Sequence, residues 1–120
     1  MPKKALLSVL LILCRCGNPL PVLENVNLAD WKADRNGCQG KRASMEQALQ
    51  NQKEKLVALS ETQVIALLGM PDQNELYKRN QKFFYYFITA SPACQSPAKR
   101  EIKLGIRFNA VGLAKEITIE

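Results

Sequence analysis

The chain has 120 residues, with 17 Lys and Arg against 11 Asp and Glu and no His, for a formal net charge of +6. That length supports one domain around a single modest core, and an apolar share of 47% with 23% charged residues argues against wholesale disorder. Without His, a Ser-His-Asp triad, a Cys-His pair and His-ligated zinc are all excluded.

Residues 1–16 read as an export signal. Lys3 and Lys4 give a positive start, Ala5 to Leu13 is a nine-residue run that is apolar except for Ser8, and Cys14, Arg15 and Cys16 close it. A membrane-spanning helix needs about 20 apolar residues, so this run is too short to span and fits the secretory pattern. The competing reading, a buried N-terminal helix, would show an apolar stripe rather than a run apolar all round. A cysteine behind the run resembles the lipobox of bacterial lipoproteins, in which the thiol receives diacylglycerol. Neither Cys14 nor Cys16 has the usual small residue before it. Cysteine parity favours Cys16, because Cys14 then leaves with the signal and Cys38 and Cys94 remain as a pair. Cys14 is the alternative, and secretion without lipidation a third. Loss of Lys3, Lys4 and Arg15 would leave 14 basic residues against 11 acidic. Such a balance predicts solubility, not nucleic-acid binding. The basic pairs Lys41-Arg42, Lys78-Arg79 and Lys99-Arg100 read as solvated surface.

Residues 17–42, with Pro19, Pro21, Gly37 and Gly40, read as a tether passing into a structured loop. Trp31 within it either packs on the domain edge or stands out as a partner anchor, since Trp is enriched at binding hot spots. Cys38 and Cys94 both lie in turn-rich segments. Metal binding is disfavoured, because there is no CxxC and no His, and a reactive thiol lacks an activating neighbour. In an exported chain a Cys38–Cys94 disulfide is the leading reading.

A helix–helix–sheet domain is expected over residues 43–120. Ser44-Met45-Glu46-Gln47 and Ser60-Glu61-Thr62-Gln63 both match the capping box. The first opens a thinly striped surface helix. The second opens a short helix with Val64, Ile65, Leu67 and Leu68, ended by Gly69 and Pro71. Strands are expected at 75–79, 82–89, 102–108 and 113–119, with turns at Asn80-Gln81 and Asn109–Gly112. The segment Lys82 to Thr89 is apolar on both pleat faces, as in a strand covered on both sides. The fold class is therefore α+β: two N-terminal helices packed on a three- to four-stranded antiparallel sheet.

Leu59-Ser60-Glu61, Val64, Leu67-Leu68-Gly69 and Pro71-Asp72, followed by Tyr85-Tyr86-Phe87, Arg107-Phe108-Asn109 and Gly112-Leu113, resemble the SmpA/OmlA (BamE-type) small outer-membrane lipoproteins over about residues 58–119. The layout is also similar to β-lactamase-inhibitor-like domains. The resemblance implies a lipid-anchored, periplasm-facing accessory protein that supports outer-membrane assembly or integrity. It would bind an outer-membrane or periplasmic protein, with no cofactor, metal or nucleic acid. A soluble periplasmic inhibitor or ligand-binding module is the alternative. Partner-binding candidates are Trp31, Phe83, Tyr85, Phe87 and Arg107. Catalysis is not expected: among Asp30, Asp34, Glu61 and Asp72, Glu61 suits a helix first turn and Asp72 a turn after Pro71.

Overall fold

In a computed structural model of the chain, residues 19–120 are described; the expected export signal and both lipidation candidates, Cys14 and Cys16, lie outside them. Among the described residues, three α-helices precede four strands: α1 (Leu28–Ala33), α2 (Glu46–Gln52), α3 (Glu61–Leu68), β1 (Gln73–Tyr77), β2 (Gln81–Phe87), β3 (Lys103–Phe108) and β4 (Ala114–Ile119). The strands form one antiparallel meander in the order β1-β2-β3-β4. The expected α+β layout is thus present, with four strands and the helices ahead of them.

Alternation decides which face is buried. Phe84, Tyr86, Leu104, Ile106 and Phe108 point to the helices and join Leu49, Leu56, Val64, Leu67 and Leu68 in one core. Along β4, Ala114 and Ile117 both reach that core although three residues apart. A register shift makes this possible: Arg107 faces Glu116 and Phe108 faces Ala114, so Lys115 is the extra residue of a bulge. Ile119 packs against the same core, as its spacing predicts.

The two capping boxes fare differently. At Ser60 the box forms, with its hydroxyl accepting from Gln63 N at 3.2 Å and Gln63 Oε1 accepting from Ser60 N at 2.9 Å. The Ser44 box does not. Residues Ala43–Met45 form a 3-10 turn, Met45 caps α2, and the Ser44 hydroxyl donates to Lys41 O at 2.7 Å. A hydroxyl that finds a carbonyl three residues back is lost to the helix that follows.

Three further readings are corrected. The stretch taken as tether and loop contains α1, capped by the Asn27 side chain on Asp30 N at 3.1 Å, and places Leu23, Trp31, Asp34 and Arg42 in the interior. The first hairpin runs two residues early, with Tyr77 facing Gln81 and the turn at Lys78–Asn80, where Arg79 and Asn80 take positive φ. Finally, β2 is covered by helices on one side only, and Phe83 and Tyr85 on its other side remain part-exposed.

The segment 34–42 is locked to the far end of β2. Gly37, at φ +68°, sits so close that a Cβ would lie 2.8 Å from Thr89 O and 3.0 Å from both Ile88 O and Phe87 O. Fixed backbone oxygens cannot yield as a side chain would. Gly37→Ala is therefore expected to cost about 2–4 kcal/mol, from left-handed strain and overpacking together, as read by urea denaturation. Beside it, Ser91 N donates to Asn36 O at 3.0 Å and a disulfide joins Cys38 to Cys94, whose Cα atoms are 5.5 Å apart.

Candidate functional site

Two groupings of polar and aromatic side chains stand out, one buried and one open. The buried one lies where α1, the 34–42 segment and the start of β1 meet the end of β2. Arg42, fully buried, donates from Nε to Trp31 O at 2.9 Å, and from Nη1 to Asp72 Oδ2 at 2.7 Å and Phe87 O at 3.0 Å. Asp72, with no side-chain exposure, also accepts from Asn36 N at 3.1 Å and Phe87 N at 2.8 Å, with Arg35 Nε at 3.5 Å. Asp34 accepts from Gln39 N at 2.6 Å and Arg42 N at 3.0 Å. Against the expectation of solvated surface, Arg42 is an internal cation tying three chain segments together.

That cation also stacks, its Cζ 4.6 Å from the Trp31 ring centroid and 5.9 Å from that of Tyr86. Among the described residues, Trp31 Nε1 and Arg42 Nη2 are buried without a hydrogen-bond acceptor. Trp31 has no exposed surface, so it holds the segment down from inside and cannot serve as an exposed partner anchor. Asp34 is held by two backbone N–H groups and Asp72 by two more together with Arg42 and Arg35, which suits a structural latch.

Tyr86 closes this cluster, donating to Gly69 O at 2.8 Å. Burial first, and the Asp72 carboxylate in addition, raise its pKa far above the ordinary tyrosine value of 10.0, with Arg42 and Arg35 opposing. The sign for stability follows. Above about pH 10 the unfolded chain releases this proton while the folded chain retains it, so folding stability falls as pH rises towards the folded pKa. A Tyr86→Phe variant is expected to lose that alkaline slope, up to about 1.4 kcal/mol per pH unit, in urea titrations between about pH 9.5 and 11.

The open grouping is the outer face of the sheet. Cross-strand register puts Phe83 opposite Arg107, Tyr85 opposite Gly105 and Phe87 opposite Lys103, so four of the five expected partner-binding residues share one face. Trp31 is the exception. Phe83 and Tyr85 are parallel within 2° with centroids 5.6 Å apart, and Tyr77 meets Phe83 edge-on at 5.6 Å. Lys103 Nζ lies 4.4 Å from the Tyr85 centroid and 5.8 Å from that of Phe87. Phe87 itself is buried, whereas Phe83, Tyr85 and Arg107 are part-exposed. Arg107 is engaged from both sides, by Glu116 at 3.0 Å and Gln81 at 3.2 Å.

Lys103 and Gly105 join this face by the alternation of β3, although neither is among the expected partner-binding residues. A Cβ at Gly105 would stand 2.8 Å from Thr118 Oγ1 and 3.2 Å from Tyr85 Cε1, so the glycine lets the Tyr85 ring lean across the strand. A glycine in mid-strand, opposite an aromatic segment, was the available signal. The resulting shallow cleft, about 320 Å³, is lined by Phe83, Tyr85, Lys103, Glu116 and Thr118 among others. Such a surface of rings with charged rims is suited to binding.

Comparison of the chain with protein-family models, with curated proteins and with solved structures finds no match. Among the described residues no helix is long and apolar enough to cross a membrane.

Proposed function

We propose that this chain is an exported, non-enzymatic binding module of the bacterial envelope, anchored by acylation of Cys16 and facing the periplasm. Its role is to support outer-membrane assembly or integrity, as the resemblance to the SmpA/OmlA family implies. The observation that carries the reading is the Cys38–Cys94 bond, since a disulfide in a small domain belongs with an oxidising compartment. The helices cover one face of the sheet, and the aromatic outer face is the surface offered to a protein partner. Binding rather than catalysis is further supported by the burial of Asp34 and Asp72 and their bonding to backbone N–H groups.

Metabolic labelling with a palmitate analogue tests the anchor. The wild-type chain and Cys14→Ala are expected to incorporate label and fractionate with membranes, and Cys16→Ala to do neither. Label retained in Cys16→Ala but lost in Cys14→Ala would move the anchor to Cys14. No label in any of the three would favour the soluble periplasmic module.

A further inference from the structure

Among the described residues, most of the large apolar side chains that remain exposed gather at one end of the sheet, with Met70 the exception. In an antiparallel meander the β1–β2 and β3–β4 turns emerge at the same end of the sheet. Here Leu76, Lys82, Phe108 and Ala114 form one row across all four strands. At and beyond that row lie Leu76, 80% exposed, Tyr77 at 52% and Val111 at 78%, with Leu113 beside them. Ala114 is bonded in turn to the segment after α2, through Ala58 N to Ala114 O and Ala114 N to Leu59 O, both 2.8 Å, so exposed Val57 joins the group.

The N-terminal stretch arrives at this same end. Lys55 Nζ donates to Val22 O at 2.9 Å, and Gln52 clamps the backbone of Glu24 through Oε1 at 2.9 Å and Nε2 at 2.6 Å. Val22 is 75% exposed and Leu20 lies two residues before it, while buried Leu23 fixes the strap to the core. The opposite end of the sheet holds the disulfide, Gly37 and the Arg42–Asp72 pair, and of the exposed large apolar side chains only Met70 lies near it among the described residues.

Exposed basic residues stand at this end too, as Lys99 and Arg100 do in the loop at the other. Lys78 and Arg79 at one turn, and Lys115 beside the other, are exposed and have no carboxylate within 4.0 Å among the described residues. Of the nearby acids, Glu61 and Glu116 are paired with Lys82 and Arg107, while Glu24, Glu54 and Glu75 have no ion-pair partner among the described residues. Aromatic and aliphatic tips with unpaired basic residues between them match the boundary of an anionic bilayer. There the apolar groups enter the headgroup region and the basic groups meet phosphate.

We infer that this end of the sheet is a footing on an anionic membrane surface, with Leu76, Tyr77 and Val111 entering the interface and Lys78, Arg79 and Lys115 holding headgroups. The inference builds on the proposed lipid anchor and adds the orientation. From Cys16 to Val22 the chain can span at most about 22 Å, so a lipid on Cys16 would keep this end, and no other, next to the bilayer. The aromatic outer face would then stand upright beside the membrane, open to a partner.

The test uses the full chain as the cell matures it, carrying a fluorescent amino acid at position 76, 111 or 95. Gln95 is exposed in the loop near the disulfide and serves as the far-end reference. Each protein is reconstituted in phosphatidylcholine vesicles with and without about one quarter phosphatidylserine, with a quencher on the lipid tails. Quenching at 76 and 111 is expected to exceed that at 95 by roughly threefold or more in anionic vesicles, and to drop towards it in Lys78→Glu/Arg79→Glu. Equal quenching at all three positions overturns the footing. So does quenching at none, with the tips shielded only when a membrane-protein extract is added, which would make the occupant a protein. Intact mass reads acylation separately. An unacylated chain with quenched tips removes the anchor and keeps the footing, and an acylated chain with unquenched tips does the reverse. The substituted side chains are exposed, and matching urea midpoints confirm that each variant folds.

Discussion

Asp72→Ala is expected to lower the unfolding free energy by about 3–5 kcal/mol, the range for removing one partner of a buried ion pair. The loss has named components. Arg42, fully buried, would keep its charge without the 2.7 Å contact to Asp72 Oδ2, and the N–H groups of Asn36 and Phe87 would lose their acceptor. Removing the cation instead is expected to cost less. In Arg42→Met, Asp72 still accepts from two backbone N–H groups and has Arg35 within 3.5 Å, and an apolar side chain can lie against Trp31 and Tyr86. Urea unfolding of both single variants and the double variant measures the coupling. If Asp72→Ala were within about 1 kcal/mol of wild type, the cluster would not be the latch described here.

Replacing both Cys38 and Cys94 by Ser, or reducing their bond, is expected to cost about 4 kcal/mol. The bond spans 56 residues, and on the chain-entropy account closing a loop of that length removes much of the freedom of the unfolded chain. Since small domains have roughly 5–15 kcal/mol in all, reduced protein should unfold at a much lower urea concentration. The site of the effect is also specified. The bond ties the 34–42 segment to the loop between β2 and β3, so hydrogen exchange should rise first at Gly37 and Ser91, whose N–H groups are bonded in that region. Unchanged stability after reduction would mean that the bond restricts nothing that the Arg42–Asp72 pair does not already hold.

Local signals were legible wherever one residue's chemistry settled the outcome. Ser60 with Gln63 starts α3 and Gly69 ends it, at φ +86°, because capping and left-handed termination act within a few residues. The alternation from Ile102 to Phe108 sets the buried face of β3, and Asn109–Gly112 makes the turn that follows. The outer-face residues Phe83, Tyr85, Phe87 and Arg107 were legible for the same reason, since period-two alternation and cross-strand register assign a face. The Ser44 motif shows the limit. It is as good a capping box as that at Ser60, but its hydroxyl has Lys41 O within reach and takes it.

The sequence by itself therefore determined the α+β class, the order of helices before strands, the bounds of α3, the second hairpin and the pairing of Cys38 with Cys94 as the leading expectation. Only the tertiary structure decided that Trp31, Asp34 and Arg42 are interior, that the presumed tether contains a helix, and that the exposed apolar tips gather at one end of the sheet. The physical reason is range. Capping, turns and alternation are governed by neighbours along the chain, whereas a charge can be buried only where groups distant in sequence converge to replace its water. Asp72 and Phe87 do that for Arg42 from 30 and 45 residues away.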